Sequence, residues 1–250
     1  MIRSYVRVVL SLAALLAAPA LAADEHAHWQ YGKGHGGPAH WAELNPEFAA
    51  CGVGKHQSPI DIRGAEKAEL PEIQFAYQPG APTVVNNGHT VQVTVPAGSS
   101  ITVGDHAYAL QQFHFHAPSE EAVHGKHAAL VAHFVHKDAE GKLAVVAVLF
   151  DVGQESAALS PVFAKLPAKA GTDVTLEGQV EPAAVLPAKH GYWEFEGSLT
   201  TPPCTEGVRW FVLQQRATLS KAQLAAFRKL YPANARPVQP LNGRTVRASM

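Results

Sequence analysis

The sequence predicts a mainly β single domain, built around a large, twisted, mostly antiparallel sheet with a few short peripheral helices. Three observations carry that prediction. Short apolar runs, some alternating with polar residues, recur between Gly, Pro, Asn and Ser joints. Helix signals are sparse, with one segment clearly bounded at both ends. Two cysteines, Cys51 and Cys204, stand far apart in a chain with export signals, so a bridge between them ties the N-terminal arm to a distant segment of the same domain.

Arg3 and Arg7 precede an apolar run over 8–18, interrupted only by Ser11, and Pro19 and Ala20-Leu21-Ala22 follow. This is the pattern of a secretory signal peptide cut after Ala22. The expected division is therefore a signal peptide over 1–22 and a domain over 23–250, with the mature chain in the periplasm. The apolar run is too short for a comfortable membrane span, and no later segment is longer and as apolar. Residues 24–54, rich in Gly, His, Trp and Pro, read as an irregular arm laid over the core.

Strands are expected over 83–85 and 90–95, joined by the turn Asn86-Asn87-Gly88. Val91, Val93 and Val95 alternate with Gln92 and Thr94, which gives one buried face. Further strands are expected over 101–103, 108–115, 129–136 and 144–150. The best helix covers 220–231: Ser220 and Gln223 form a capping box, Leu224, Phe227 and Tyr231 share a face, and Pro232 ends it. A shorter helix is expected near 160–166.

Basic and acidic residues number 20 and 21, with no basic block, so nothing points to nucleic acid or an anionic membrane. The unusual count is 14 His. Most stand alone in the arm or near turns. The run Gln112-Phe113-His114-Phe115-His116 differs. In a strand, i and i+2 share a face, so His114 and His116 project together while Phe113 and Phe115 pack behind them. The segment 119–127 contains Gly125 and can turn the chain back, which brings His133 beside the pair and leaves His136 on the other face. Three His ligands favour Zn²⁺ with an open fourth position, although copper, cobalt and iron also accept such donors. A rival pattern is the cupin metal motif, His114-x-His116-x-x-x-Glu120, in which Glu120 is a ligand; Tyr108 and His127 stand where cupins have glycine.

Further on comes Ser198-Leu199-Thr200-Thr201-Pro202-Pro203-Cys204. With the His run it resembles the alpha carbonic anhydrases, of the secreted bacterial type. Trp29-x-Tyr31-Gly32, Gly37-Pro38-x-x-Trp41, Gln57-Ser58-Pro59-Ile60-Asp61-Ile62, Asn86-Asn87-Gly88-His89 and Arg236-Pro237-x-Gln239 with Asn242-x-Arg244 agree in order. The resemblance implies that His114, His116 and His133 bind Zn²⁺. It implies that Thr200 orients the nucleophile and donates to Glu120, and that His89 is the proton shuttle. Val135, Val145, Leu199, Val208 and Trp210 would form an apolar substrate pocket, with Gln112, Asn87 and Thr201 as its polar residues. The implied reaction is reversible hydration of carbon dioxide to bicarbonate and a proton. The alternative is a non-catalytic periplasmic zinc-binding relative, and the secreted bacterial relatives admit a homodimer.

Three positions depart from the family's pattern. Glu121 stands where His is usual, Val131 where Glu is usual, and Phe195 where Tyr is usual. In the family these residues form one hydrogen-bonded group behind the zinc. One carboxylate enters as another leaves, so Glu121 is expected to accept the N–H of His133 across the hairpin, and Phe195 to avoid an unpaired hydroxyl.

Overall fold

Residues 28–250 are described by the structure, a computed structural model; the expected signal peptide lies outside them. The first strands are β1 (Asp61–Ile62), β2 (Glu66–Ala68), β3 (Ile73–Ala76), β4 (Thr83–Asn86), β5 (Val91–Thr94) and β6 (Ser100–Val103). The middle of the chain supplies β7 (His106–His116), β8 (Ala122–Val123), β9 (Lys126–His127), β10 (Leu130–Lys137) and β11 (Leu143–Val152). The rest are β12 (Thr172–Thr175), β13 (Tyr192–Ser198), β14 (Glu206–Leu213), β15 (Ala217–Leu219) and β16 (Arg247–Ser249). Helices are short: α1 (Trp41–Leu44), α2 (Ala50–Val53), α3 (Ser160–Phe163) and α4 (Lys221–Leu230).

A 13-stranded sheet runs β12-β4-β5-β7-β10-β11-β14-β13-β16-β2, with β3, β6 and β15 paired beside this path. Most pairings are antiparallel; β11 with β14 and β15, and β16 with β2, are parallel. Every residue of β11 from Ala144 to Phe150 is buried, as expected for a strand covered on both faces with a parallel neighbour. A separate 3-stranded sheet, β1-β8-β9, flanks it.

Two cores result from the alternation. On one face Phe113, Phe115, Phe134 and Phe211 pack with Leu224 and Phe227 of α4. Each fully buried Phe contributes roughly 1.5–3 kcal/mol. On the other face Val131, Val145, Val208, Trp210 and Val212 pack with Ile60 and Ile62. His114, His116 and His133 belong to this second face, since their chain neighbours Phe113, Phe115 and Phe134 fill the first.

The capping box of α4 forms with both of its hydrogen bonds. The arm is less irregular than expected. It holds α1, a 3₁₀ turn over Pro46–Phe48 and α2, where Asn45 Oδ1 accepts from Glu47 N at 2.9 Å and Pro46 starts the turn. The Cys51–Cys204 disulfide is present and packs against Trp41.

His136 lies on the Phe134 side, away from the triad. Its Nε2 hydrogen-bonds the Tyr77 hydroxyl at 2.9 Å, while its Nδ1 is buried with no partner of ordinary geometry. Burial pushes its pKa down from 6.5 to about 4. The unfolded chain therefore takes up a proton below pH 6.5 that the folded chain refuses until about pH 4. This contribution leaves stability intact above pH 6.5 and erodes it as pH falls between those values, by roughly 3 kcal/mol at about 1.4 kcal/mol per pH unit. Urea midpoints at pH 7.5 and 4.5 test this on the wild type and on His136→Leu: the variant should lose less stability on acidification. Equal losses would show that His136 carries none of the acid sensitivity.

Candidate metal centre

The triad is assembled by sheet register. His114 faces His133 across β7 and β10, and His116 faces Val131. The return is made by the β8–β9 hairpin, whose central residues His124 and Gly125 both have positive φ, 50° and 76°. That is the backbone of a two-residue type I′ turn, which Gly accepts without strain. One ligand nitrogen from each ring of His114, His116 and His133 lies within 4.8 Å of the others, the one such group of three among the described residues. Glu120 is outside that group, which removes the support for the cupin pattern.

The second nitrogen of each ring has an acceptor. His114 Nδ1 faces Gln112 Oε1 at 2.9 Å, His116 Nδ1 faces the Asn234 carbonyl at 2.7 Å, and His133 Nε2 faces Glu121 Oε1 at 2.9 Å. A backbone carbonyl and a carboxylate only accept, and Gln112 presents its oxygen, so each of these nitrogens carries the proton. The lone pairs then sit on His114 Nε2, His116 Nε2 and His133 Nδ1, and His116 Nε2 is buried without a hydrogen-bond partner. Buried nitrogen lone pairs converging on one point fit a metal ion of borderline softness such as Zn²⁺.

Burial, with the charge of His133, pushes His114 down to about 3, and burial also holds His116 well below its ordinary value. Both rings are therefore neutral at neutral pH, as ligands must be. For His133 burial opposes protonation, but the Glu121 charge and hydrogen bond and the Glu120 charge outweigh it, so its pKa is raised. Burial pushes Glu120 up to about 7, against the lowering influence of His133, Thr200 and the Arg236 backbone. Glu120 Oε1 accepts from Arg236 N at 2.7 Å, and Oε2 lies 3.4 Å from His116 Nε2. The Thr200 side chain acts on this carboxylate, but Oε2 closes no hydrogen bond of ordinary geometry.

The Thr200 loop is pinned by the Gln57-Ser58 motif. Ser58 N donates to Ser198 Oγ at 2.9 Å, Ser198 N donates to Ser58 Oγ at 3.1 Å, and Trp210 Nε1 donates to Ser198 O at 3.1 Å. Gly197 is required beside them, since a Cβ there would stand 2.1 Å from Ser58 Oγ.

A cavity of about 160 Å³ is lined by His114, His116, Gln112, Thr201, Asn87 and His89, together with Tyr31, Thr90 and Gln92. His89 sits in the β4–β5 hairpin, where Asn87 Oδ1 accepts from His89 N at 3.0 Å. Its ring stacks on Trp29, centroids 3.6 Å apart. Burial and the nearby His28 lower its pKa. Along one row of the sheet Gln112 faces Val135, Val135 faces Val145, and Val145 faces Trp210. Val208 and Leu199 belong to the same apolar group, and Trp210 packs on His133 with ring centroids 4.9 Å apart. A larger cleft of about 570 Å³ holds none of these residues. Its buried Glu194 is neutralised by Arg209 and Arg247 at 2.6 and 2.7 Å.

Sequence reasoning missed Asn234, whose carbonyl holds His116, and the placement of Gln92 and Tyr31 in the cavity. Gln92 faces His114 across β5 and β7, and its polar slot in the Val91–Val95 alternation was the only signal.

A family model described as "Eukaryotic-type carbonic anhydrase" matches residues 36–250. The chain is 46% identical over 241 residues to a carbonic anhydrase of Klebsiella pneumoniae, covering 95% of this chain and 98% of that one. It is 44% identical over 225 residues to a carbonic anhydrase of Pectobacterium carotovorum, covering 90% and 92%. Among solved structures, the alpha-carbonic anhydrase of Thermovibrio ammonificans, in complex with the inhibitor sulfanilamide, superposes with a TM-score of 0.86 at 46% identity, covering 88% of this chain and 99% of that one. With the three-His site in place, these matches mean that the chain belongs to the alpha carbonic anhydrase family and is an enzyme of that class.

Proposed function

We propose that this enzyme interconverts carbon dioxide and bicarbonate with Zn²⁺ held by His114 Nε2, His116 Nε2 and His133 Nδ1. The observation that carries the reading is the grouping of one nitrogen from each of the three rings within 4.8 Å, with an oxygen facing the second nitrogen of each ring. When bound, Zn²⁺ lowers the pKa of water to about 7 and so supplies a nucleophile at neutral pH, an effect for which carbonic anhydrases are themselves the standard example.

The protein residues divide the remaining work. Glu120 has one oxygen occupied by Arg236 N, so its other oxygen is left for Thr200. In its ionised form Glu120 only accepts, so the Thr200 hydroxyl donates to it, and the Thr200 oxygen then accepts from the nucleophile and orients it. Val135, Val145, Leu199, Val208 and Trp210 offer an apolar wall suited to a neutral, apolar substrate. Gln112, Asn87 and Thr201 keep the rest of the cavity wet. His89 shares that cavity with two of the metal ligands. An imidazole takes and releases protons near working pH, so His89 carries the proton between the cavity and bulk water. Cleavage after Ala22, a mature domain over 23–250 and residence in the periplasm complete the reading, and the disulfide suits such an oxidising compartment.

Stopped-flow hydration of carbon dioxide by the purified mature enzyme, with zinc measured on the same sample, tests this. One zinc per chain and rapid hydration are expected, with hydration abolished by a chelator and restored by Zn²⁺. Full zinc occupancy without hydration would instead favour the non-catalytic zinc-binding relative.

A further inference from the structure

Position 131 is where the alpha carbonic anhydrases usually carry a Glu, two residues before the third ligand and on the same face of the strand. Here it is Val131, fully buried opposite His116. The acceptor for His133 Nε2 comes instead from outside the strand, from Glu121 Oε1 at 2.9 Å. We propose that Glu121 is the positioning residue for His133, and that zinc retention in this enzyme is therefore tied to the β8–β9 hairpin; the proposal rests on the zinc reading above.

Three features of the molecule support it. Glu121 has no exposed surface, and a buried carboxylate is costly unless paired. Its Oε1 has His133 as its hydrogen-bond partner, and its Oε2 has none. The Glu121 side chain therefore has no competing structural role in the hairpin. The hairpin is held by backbone groups and Ser119: Ser119 Oγ donates to Glu121 O at 2.7 Å and accepts from Ala128 N at 2.8 Å. The placement of Glu121 is rigid. Ser119 N donates to Ala128 O at 3.0 Å, and Ala122 N donates to Ile60 O at 3.2 Å, where β8 pairs with β1. The hairpin thus fixes the carboxylate, the carboxylate fixes the tautomer and angle of the His133 ring, and the ring presents Nδ1. A Glu at 131 would do this from the ligand's own strand, independently of the hairpin.

The test is zinc release from the holoenzyme into excess chelator, together with the visible spectrum of the Co²⁺-substituted enzyme, which reads ligand geometry without reference to turnover. Glu121→Gln keeps the shape but weakens the acceptor and should release zinc about tenfold faster; Glu121→Ala should release it about 10–100-fold faster. Both should alter the Co²⁺ spectrum. Val131→Glu placed in the Glu121→Ala background should bring release and spectrum back towards wild type. Ser119→Ala, which touches no ligand, should speed release by a smaller factor. Wild-type release and spectrum in both Glu121 variants, or no recovery with Val131→Glu, would overturn the assignment. Unchanged release in Ser119→Ala would overturn the link to the hairpin. A wild-type enzyme that holds no zinc would overturn the zinc reading as well, and that result is distinguishable because it precedes any variant.

Discussion

His133→Ala should lose zinc and hydration together, and should also be the least stable of the three ligand variants. Zinc sites built from protein side chains hold the ion with about 10–16 kcal/mol. If three ligands share this evenly, removing one costs about 4 kcal/mol, or roughly a 1,000-fold weaker site. At ordinary zinc concentrations such a site is largely empty, and hydration falls with it. That much applies to all three ligands, but their partners differ. His114 leans on Gln112, a partly exposed neutral amide. Removing His133 strands the Glu121 carboxylate, fully buried and with no other partner. An unsatisfied buried group costs about 1–3 kcal/mol, and more when charged. Urea denaturation of the zinc-free proteins separates the two effects: His114→Ala should stay near the zinc-free wild type, while His133→Ala should unfold at clearly lower urea. Equal midpoints, or a His133→Ala protein that still carries one zinc per chain, would contradict the geometry described.

Much of this centre was legible in the sequence because strand periodicity is rigid. In a strand, two His separated by one residue share a face, and Phe113 and Phe115, before and between them, imply a second buried face. The pairing of His133 with His114 needed only a turn at Gly125, which the chain supplies. The exchange of carboxylates between 131 and 121 was legible only against the pattern of the family the chain resembles; a buried His nitrogen requires an acceptor, but that alone does not say from which position it comes. What could not be read was long-range register. Neither β13 nor β14 was anticipated, although Trp210 sits on β14 and Thr200 follows β13. Trp193, Glu194 and Phe195 combine half-buried, charged and aromatic residues without clean alternation. The pattern is irregular because Glu194 is buried against two arginines rather than exposed. Asn234 holds His116 through its backbone carbonyl, a contact that any residue type can make and that therefore leaves no trace in the sequence. The arm was read as irregular because its helices are single turns, too short to show a period of 3.6.

Removing the Cys51–Cys204 disulfide should have a large effect on heating and a small one on catalysis at 25 °C. The bridge spans 153 residues, and the chain-entropy model assigns a loop of that size about 5 kcal/mol, acting on the unfolded chain. Native domains have only about 5–15 kcal/mol in total. For a domain of this size each kcal/mol moves the midpoint by about 2–4 °C, so Cys51→Ser with Cys204→Ser should melt roughly 10–20 °C lower. The site itself depends less on the bridge. Arg236 Nη2 donates to Cys51 O at 3.1 Å, Gln57 Nε2 donates to Cys204 O at 3.0 Å, and Arg236 Nη1 donates to Gln57 Oε1 at 2.8 Å. These bonds join the same two segments without sulfur. The Arg236 backbone, which holds Glu120, is anchored by them and by Ser58 O at 2.7 Å. While the domain stays folded, Glu120 and Thr200 should therefore keep their places, and the double variant at 25 °C should retain its zinc and most of its hydration rate. A midpoint shifted by less than about 3 °C would mean that the unfolded chain is already compact across this loop. Lost hydration in a folded, zinc-loaded variant would mean that the bridge, and not the hydrogen bonds beside it, sets the position of Glu120.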